Sequence, residues 1–149
     1  MSAPAAPELL FPTCAECAGI GFTGIQDWLW DMEEDIGAGP FRAFLARHAG
    51  HELSLSRAPL PGEAPELVPA YAWLRDRFGP GRLMVPIGPA AHRARLAWTV
   101  FKLLDAGSSL ASVARATGTS TRNILRHKTR LIQFGALKAP RPTPQRNPR

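Results

Sequence analysis

The side chains best suited to a binding site lie in a polar and basic stretch between residues 121 and 130. Cationic side chains bind phosphate, and Arg and Asn also form paired hydrogen bonds with the edges of guanine and adenine. No acidic residue offsets the positive charge of this stretch, which therefore indicates a surface for a polyanion such as nucleic acid. Its candidate contact residues are Thr121, Arg122, Asn123, Arg126, His127, Lys128 and Arg130.

A second group of side chains has the types that bind zinc. Cys14 and Cys17 form a C-x-x-C pair, and His48 and His51 are also separated by two residues. A structural zinc site needs four such ligands, but the thirty residues 18–47 lie between the two pairs, which is long for a compact zinc site. We therefore predict no metal and interpret the two cysteines as reduced thiols.

The residues that could act in catalysis are isolated in the sequence: Cys14, Cys17, His48, His51 and His92. An enzyme would need a nucleophile, a base and an orienting group that converge, or a metal site. The glycines at 19, 21 and 24 are not followed by the Lys and Ser or Thr of a phosphate-binding loop. The carboxylates Asp27, Asp31, Glu34 and Asp35 recur with helical period on an outward face, which is better interpreted as solvated than as a site. We predict no catalytic activity and no cofactor.

The residues that precede the basic stretch have the periodicity of a helix. Residues 110–117 place Leu110, Val113, Ala114 and Thr117 on one face at i, i+3, i+4 and i+7. Gly118 then suits a sharp turn, because glycine tolerates positive φ.

A second helix follows over residues 120–132, with Ser120, or Thr119 one residue earlier, as its N-cap. Ile124, Leu125, Leu131 and Ile132 form its apolar side and the basic residues form the other. This order predicts a helix-turn-helix, whose second helix enters the major groove of DNA. The alternative is an ordinary helical hairpin with a solvated basic face.

Charge is divided unequally along the chain. The net charge is +6, but residues 1–69 carry about −7 and residues 70–149 about +13. Residues 107–149 contain nine Lys or Arg and no carboxylate. This asymmetry is typical of a nucleic-acid-binding module joined to an acidic segment that is available to a partner protein.

The periodicity of apolar residues predicts a mainly α fold in three parts. Residues 1–64 form a separate, small, acidic and helical N-terminal segment, with an arm at 1–13, helices at 25–36 and 41–49, and a Pro-rich linker or loop at 51–65. Residues 65–137 form the DNA-binding domain, with helices at 66–78 and 90–106 and a strand at 82–87 before the helix-turn-helix. Residues 138–149 form a disordered basic tail. No stretch is apolar enough to span a membrane, so we expect a cytoplasmic protein.

Residues from about 71 to 137 resemble the Mor-type transcription activators of phages. The resemblance rests on the turn and strand FGPGRLMVPIG, a long helix, and then GSSLASVARATGTSTRNILRHKTRL. It implies a homodimer that binds a dyad promoter site and recruits RNA polymerase, with Arg122, Asn123 and Arg126 on the DNA. It also implies a dimer interface formed by Leu83, Met84, Val85 and Pro86.

These observations together predict a sequence-specific, DNA-binding transcription regulator that acts as a homodimer. Its partners would be double-stranded DNA, a second copy of the chain, and RNA polymerase or another protein at the acidic segment. The alternatives are a nonspecific DNA-binding assembly, packaging or scaffold protein, and a protein-interaction module. Competition with random DNA distinguishes specific from nonspecific binding.

Overall fold

The computed structural model describes residues 7–138, which form seven α-helices and one two-stranded sheet. The mainly α prediction is confirmed. Short 3₁₀ turns precede the fourth and fifth helices at Pro65–Leu67 and Gly88–Ala90. In chain order the elements are α1 (Cys14–Gly19), α2 (Asp27–Ile36), α3 (Ala38–His48), β1 (Glu52–Leu55), α4 (Val68–Phe78), β2 (Gly81–Met84), α5 (His92–Asp105), α6 (Leu110–Thr117) and α7 (Thr121–Phe134).

The larger of two hydrophobic cores is built by α2, α3, α4 and the sheet. Phe41, Phe44 and Leu74 are fully buried at its centre, because each lies on the inward stripe of an amphipathic helix. This larger core contains residues on both sides of position 64, so the predicted domain boundary does not coincide with a break in packing. Its buried members are Cys14, Leu29, Met32, Phe41, Phe44, Leu45, Leu53, Leu55, Leu67, Ala70, Leu74 and Val85.

The sheet corrects two predictions. Residues 52–55 are not part of a linker but form β1, which pairs antiparallel with β2 so that Leu53 faces Leu83. The strand predicted at 82–87 ends earlier, at Met84. The pairing joins segments nearly thirty residues apart, and a four-residue strand gives too short an alternation to detect in sequence.

The predicted interface residues divide between surface and core. Met84 is 62% exposed, whereas Val85 is fully buried in the larger core. Leu83 is half-buried against the same core, and Pro86 is half-buried beside it. Val85 therefore packs within its own chain, which corrects its assignment to a dimer interface.

The N-terminal residues are not separate from the rest of the fold. Residues 7–13 have no helix or strand and lie across α5, where the Leu10 N–H donates to Thr99 Oγ1 at 2.8 Å. The Arg95 guanidinium donates to the Leu9 carbonyl at 2.8 Å and stacks over the Phe11 ring at 5.3 Å. These contacts correct the prediction of a separate N-terminal segment. The predicted tail from residue 139 onward lies outside the described residues.

Three acidic side chains of α2 bind other helices of the same chain. Glu33 accepts hydrogen bonds from the backbone N–H groups of Cys14 and Ala15 at 2.6 and 3.2 Å. These N–H groups start α1, where a helix leaves its donors unpaired and favours a negative charge. Asp31 pairs with Arg77 at 3.0 Å, and Asp35 accepts from the indole of Trp73 at 2.7 Å. Asp31 and Asp35 belong to the predicted outward face and are half-exposed and exposed there, and both also bind side chains of α4.

The smaller core joins α5, α6 and α7. Its buried members are Val100, Val113, Ala114 and Ile124, and four leucines pack around them: Leu96, Leu103, Leu104 and Leu110. From α5, this core takes Leu96, Val100, Leu103 and Leu104, which recur at helical spacing in the sequence.

The connection between α6 and α7 depends on Gly118. Its φ of 70° lies in the left-handed region, and a Cβ at this position would come within 2.9 Å of Pro7 Cγ. Ser120 then caps α7, since its hydroxyl accepts from the Asn123 N–H at 3.1 Å. Glycine at 118 and the Ser120 cap are as predicted, and the contact with Pro7 places the N-terminal residues beside this turn.

We expect Phe44→Ala to lower the free energy of unfolding by about 3–5 kcal/mol, because it leaves a cavity at the centre of the larger core. Urea denaturation followed by tryptophan fluorescence measures this loss. The control is Leu60→Ala, at a side chain that is 60% exposed and should change stability by less than about 0.5 kcal/mol. Equal losses in the two variants would contradict the packing described here.

Candidate nucleic-acid interface

The outward face of α7 is a cationic surface with one apolar residue near its middle. Its inward face is fixed by Ile124, which is fully buried, and Leu131, which is 4% exposed. Helical periodicity then turns the opposite side to solvent. This outer face forms a shallow depression of about 460 Å³ lined by Arg122, Leu125, Arg126, Thr129, Arg130 and Gln133.

The seven predicted contact residues do not all share this face. Thr121, Arg122, Arg126 and Arg130 are exposed, whereas His127 and Lys128 are half-buried. Asn123 is also half-buried, and its side-chain amide donates to Thr119 Oγ1 at 2.9 Å. This bond uses one of the two amide N–H groups and orients the side chain, and it leaves the second N–H and the Oδ1 atom, the two groups that pair with adenine, outside that bond.

Three members of the outer face were not among the predicted contacts. Leu125 was assigned to the apolar side of the helix, but it is 50% exposed. Thr129 and Gln133 were omitted, although they follow Arg122 and Arg126 by seven residues each and so lie on the same face. Helical spacing alone could have identified these two residues.

A second concave surface, which we call the α5/α7 cleft, lies between residues 20–23, α5 and α7. It consists of a pocket of about 340 Å³ and a neighbouring pocket of about 200 Å³ that share five residues. The shared residues are Phe22, Arg93, Ala97, His127 and Arg130. Arg93 and Phe22 were not predicted, because only tertiary packing brings them beside α7.

Positive charge is concentrated in this cleft. Arg93 comes from α5, and Arg126 and Arg130 come from α7. No carboxylate lines either pocket, and none of the four ion pairs found within residues 7–138 involves these arginines. Burial, and then the nearby Arg130, lower the pKa of His127 below its ordinary value of 6.5. The three arginines without a lining carboxylate favour the binding of an anion in the cleft.

The candidate metal ligands and nucleophiles do not line the α5/α7 cleft. Cys14 and Cys17 are fully buried on α1, and burial raises the pKa of both thiols, that of Cys17 to about 12. The His48 imidazole lies 2.7 Å from the Tyr71 hydroxyl, and burial followed by Arg47 and His51 lowers its pKa. His51 and His92 are exposed. Within residues 7–138 no three His, Cys, Asp or Glu side chains form a group that could hold a metal ion.

None of the helices between residues 7 and 138 is both long and apolar enough to cross a bilayer. Comparison of the chain with protein-family models, with curated proteins and with solved structures finds no match. The resemblance to Mor-type activators therefore stays a prediction that rests on the residues quoted above.

The lowered pKa of His127 makes stability depend on pH. The folded protein binds this proton less readily than the unfolded chain, so the stabilisation is complete above about pH 6.5 and is lost as the pH falls through the lower folded pKa. We expect the free energy of unfolding, measured in urea at several pH values from 7.5 to about 5, to fall with decreasing pH. His127→Gln should fall less steeply, and an unchanged slope in this variant would contradict the assignment.

Proposed function

We propose that the protein is a sequence-specific DNA-binding regulator, in which α6, the turn at Gly118 and α7 act as a helix-turn-helix. The observation that carries this proposal is the division of α7 into two faces. One face is buried on α5 and α6, and the other presents three exposed arginines with no carboxylate among the residues lining it. A recognition helix needs this division, because a supported inner face leaves the outer one free to enter the major groove.

The outer face contains groups suited to the two kinds of DNA contact, those with base edges and those with phosphates. Arg122 and Arg126 lie in the first half of α7, where recognition helices contact base edges, and arginine binds the O6 and N7 atoms of guanine. Leu125 lies between them and is apolar, as is the methyl group of thymine. Arg130 lies further along the helix and is placed for phosphate.

We further propose a homodimer, which would present two copies of α7 to two half-sites. Val85 is fully buried in the larger core, so the interface that we propose uses exposed residues beside it. Met84 is 62% exposed and Ile87 is 55% exposed, and both are large and apolar. Partner recruitment through the acidic half would use carboxylates outside the internal pairs, such as the exposed Glu34.

Arg122 is the residue that we expect to read a base. Arg122→Ala should weaken binding to a specific duplex by about 1–3 kcal/mol and weaken binding to a scrambled duplex less, because only the specific complex includes the base contact. Fluorescence anisotropy measures both affinities, with the specific duplex enriched from a random pool and titrations made at two salt concentrations. Arg57→Ala is the control, since Arg57 is exposed in the acidic half.

The wild-type titration also decides between the proposal and its alternatives. A preference of about a thousandfold or more for the specific duplex supports a regulator. Salt-sensitive binding without preference favours a nonspecific packaging or assembly protein. If neither duplex binds, α7 is a protein-interaction surface and the proposal is wrong.

Met84 is the residue that tests the proposed dimer interface. Met84→Lys should shift a dimer toward monomer, because it places a charge in an apolar contact. Sedimentation equilibrium at several protein concentrations measures the shift. Leu60→Lys is a matched control, since Leu60 is apolar and 60% exposed but lies outside the proposed interface. A monomeric wild-type protein, or equal effects of the two substitutions, would disprove this interface.

A further inference from the structure

The α5/α7 cleft is large enough to hold a small ligand. Its main pocket of about 340 Å³ is many times the roughly 30 Å³ that one water molecule occupies in the liquid. Three separate parts of the chain line it: residues 20–23, α5 and α7. Residues 21 and 22 are held by α1, since the Gly21 N–H donates to the Ala18 carbonyl at 3.1 Å and the Phe22 N–H to the Cys17 carbonyl at 2.9 Å. Gly21 also lies against α7, because a Cβ at this position would come within 3.0 Å of the Phe134 ring. The walls are therefore fixed by packing of the N-terminal residues against the end of α7.

The charged groups of the cleft match a phosphate group. Arg93, Arg126 and Arg130 supply three guanidiniums, whose planar donor pairs fit phosphate oxygens. The Phe22 ring and the Leu96 side chain form apolar walls, which lower the local dielectric and strengthen attraction between the cations and an anion. A cavity with this lining has charge for an anion and no internal counterion.

The position of the cleft relates it to the outer face of α7. Arg126 and Arg130 line both surfaces. A duplex held against the outer face would therefore bring its sugar-phosphate backbone to the edge of the cleft, beside the groove that the helix enters.

We propose that the α5/α7 cleft binds a phosphate group, which in the DNA complex is a backbone phosphate held by Arg93 together with Arg126 and Arg130. The assignment of the phosphate to DNA rests on the proposed function. The binding of a phosphate group by the cleft does not depend on it. It assigns Arg93 and Phe22, which lie outside the turn and its two helices, to the DNA-binding surface. The acidic N-terminal half then contributes directly to that surface through residues 20–23.

His127 provides a signal for occupancy of the cleft. The charged groups that face it are Arg93 from α5 and Arg126 and Arg130 from α7, and residues 20–23 contribute no titratable side chain. A bound phosphate places negative charge beside the imidazole and raises its pKa, so binding and protonation strengthen each other. Phosphate binding should therefore tighten as the pH falls from 7.5 toward 6.

The first experiment follows the four histidine signals of the full-length protein by NMR during pH titration. The His127 signal is assigned by its loss in His127→Gln. We expect inorganic phosphate to raise the His127 titration midpoint relative to chloride at equal ionic strength. Arg93→Gln should remove this rise, whereas Arg57→Gln, which makes the same charge change at an exposed site away from the cleft, should retain it. A midpoint unaffected by phosphate in the wild-type protein would overturn the proposal.

The second experiment identifies the source of the phosphate by anisotropy titration with duplex DNA. Arg93→Gln should weaken binding to specific and scrambled duplexes alike, on the order of tenfold, and lower the salt slope by about 0.9, as expected for one lost phosphate contact. Arg57→Gln should change neither. Equal DNA binding by the two variants, with the NMR response present, would assign the cleft to a free phosphate compound and refute the backbone contact.

These outcomes separate the inference from the proposed function. A phosphate response in a protein that binds no DNA would support the cleft as a phosphate site while the proposed function fails. DNA binding that depends on Arg122 but not on Arg93, without a phosphate response, would support the proposed function and refute the cleft.

Discussion

The burial of Ile124 fixes the rotation of α7, and the cationic surfaces depend on that rotation. Ile124 is fully excluded from solvent in a core with Val100, Val113 and Ala114. Burying a side chain of this size contributes about 1.5–3 kcal/mol. A rotation of α7 that put Asn123 and Arg130 in the positions of Ile124 and Leu131 would carry an amide and a guanidinium toward the core, where an unpaired polar group is costly. The opposite rotation would bring Leu125 and Ile132 inward and is opposed by the lost packing of Ile124. The apolar contact therefore determines where the charged groups point.

The same packing concentrates like charges, which is unfavourable for the isolated protein. Arg93 on α5 and Arg126 and Arg130 on α7 line one cleft without a carboxylate. Elsewhere in the described residues, Arg42, Arg75, Arg77 and Arg82 pair with acidic residues. The contrast between paired arginines in one part of the fold and arginines without a carboxylate in the cleft is the charge distribution on which the proposed DNA-binding function rests.

The sequence was sufficient to predict the longer helices and the turn between α6 and α7. Their apolar residues recur with helical period, and Ser120 and Gly118 are strong local signals for a cap and a left-handed turn. It was not sufficient for α1, whose six residues are stabilised by a capping box and by Glu33 from α2. It also missed β1, whose pairing with β2 requires contact between residues far apart in the chain. Both errors concern short elements that depend on distant partners.

The sequence by itself determined the composition of the candidate surface: a basic helix without carboxylates, preceded by a small-residue turn and an apolar supporting helix. These properties follow from residue types and local spacing, which determine backbone preference and charge. Only the tertiary structure decided that Leu125 faces outward and that Arg93 and Phe22 lie beside His127. The reason is physical: local sequence determines the faces of a helix, but the packing of distant residues determines which face meets solvent and which groups share a cleft.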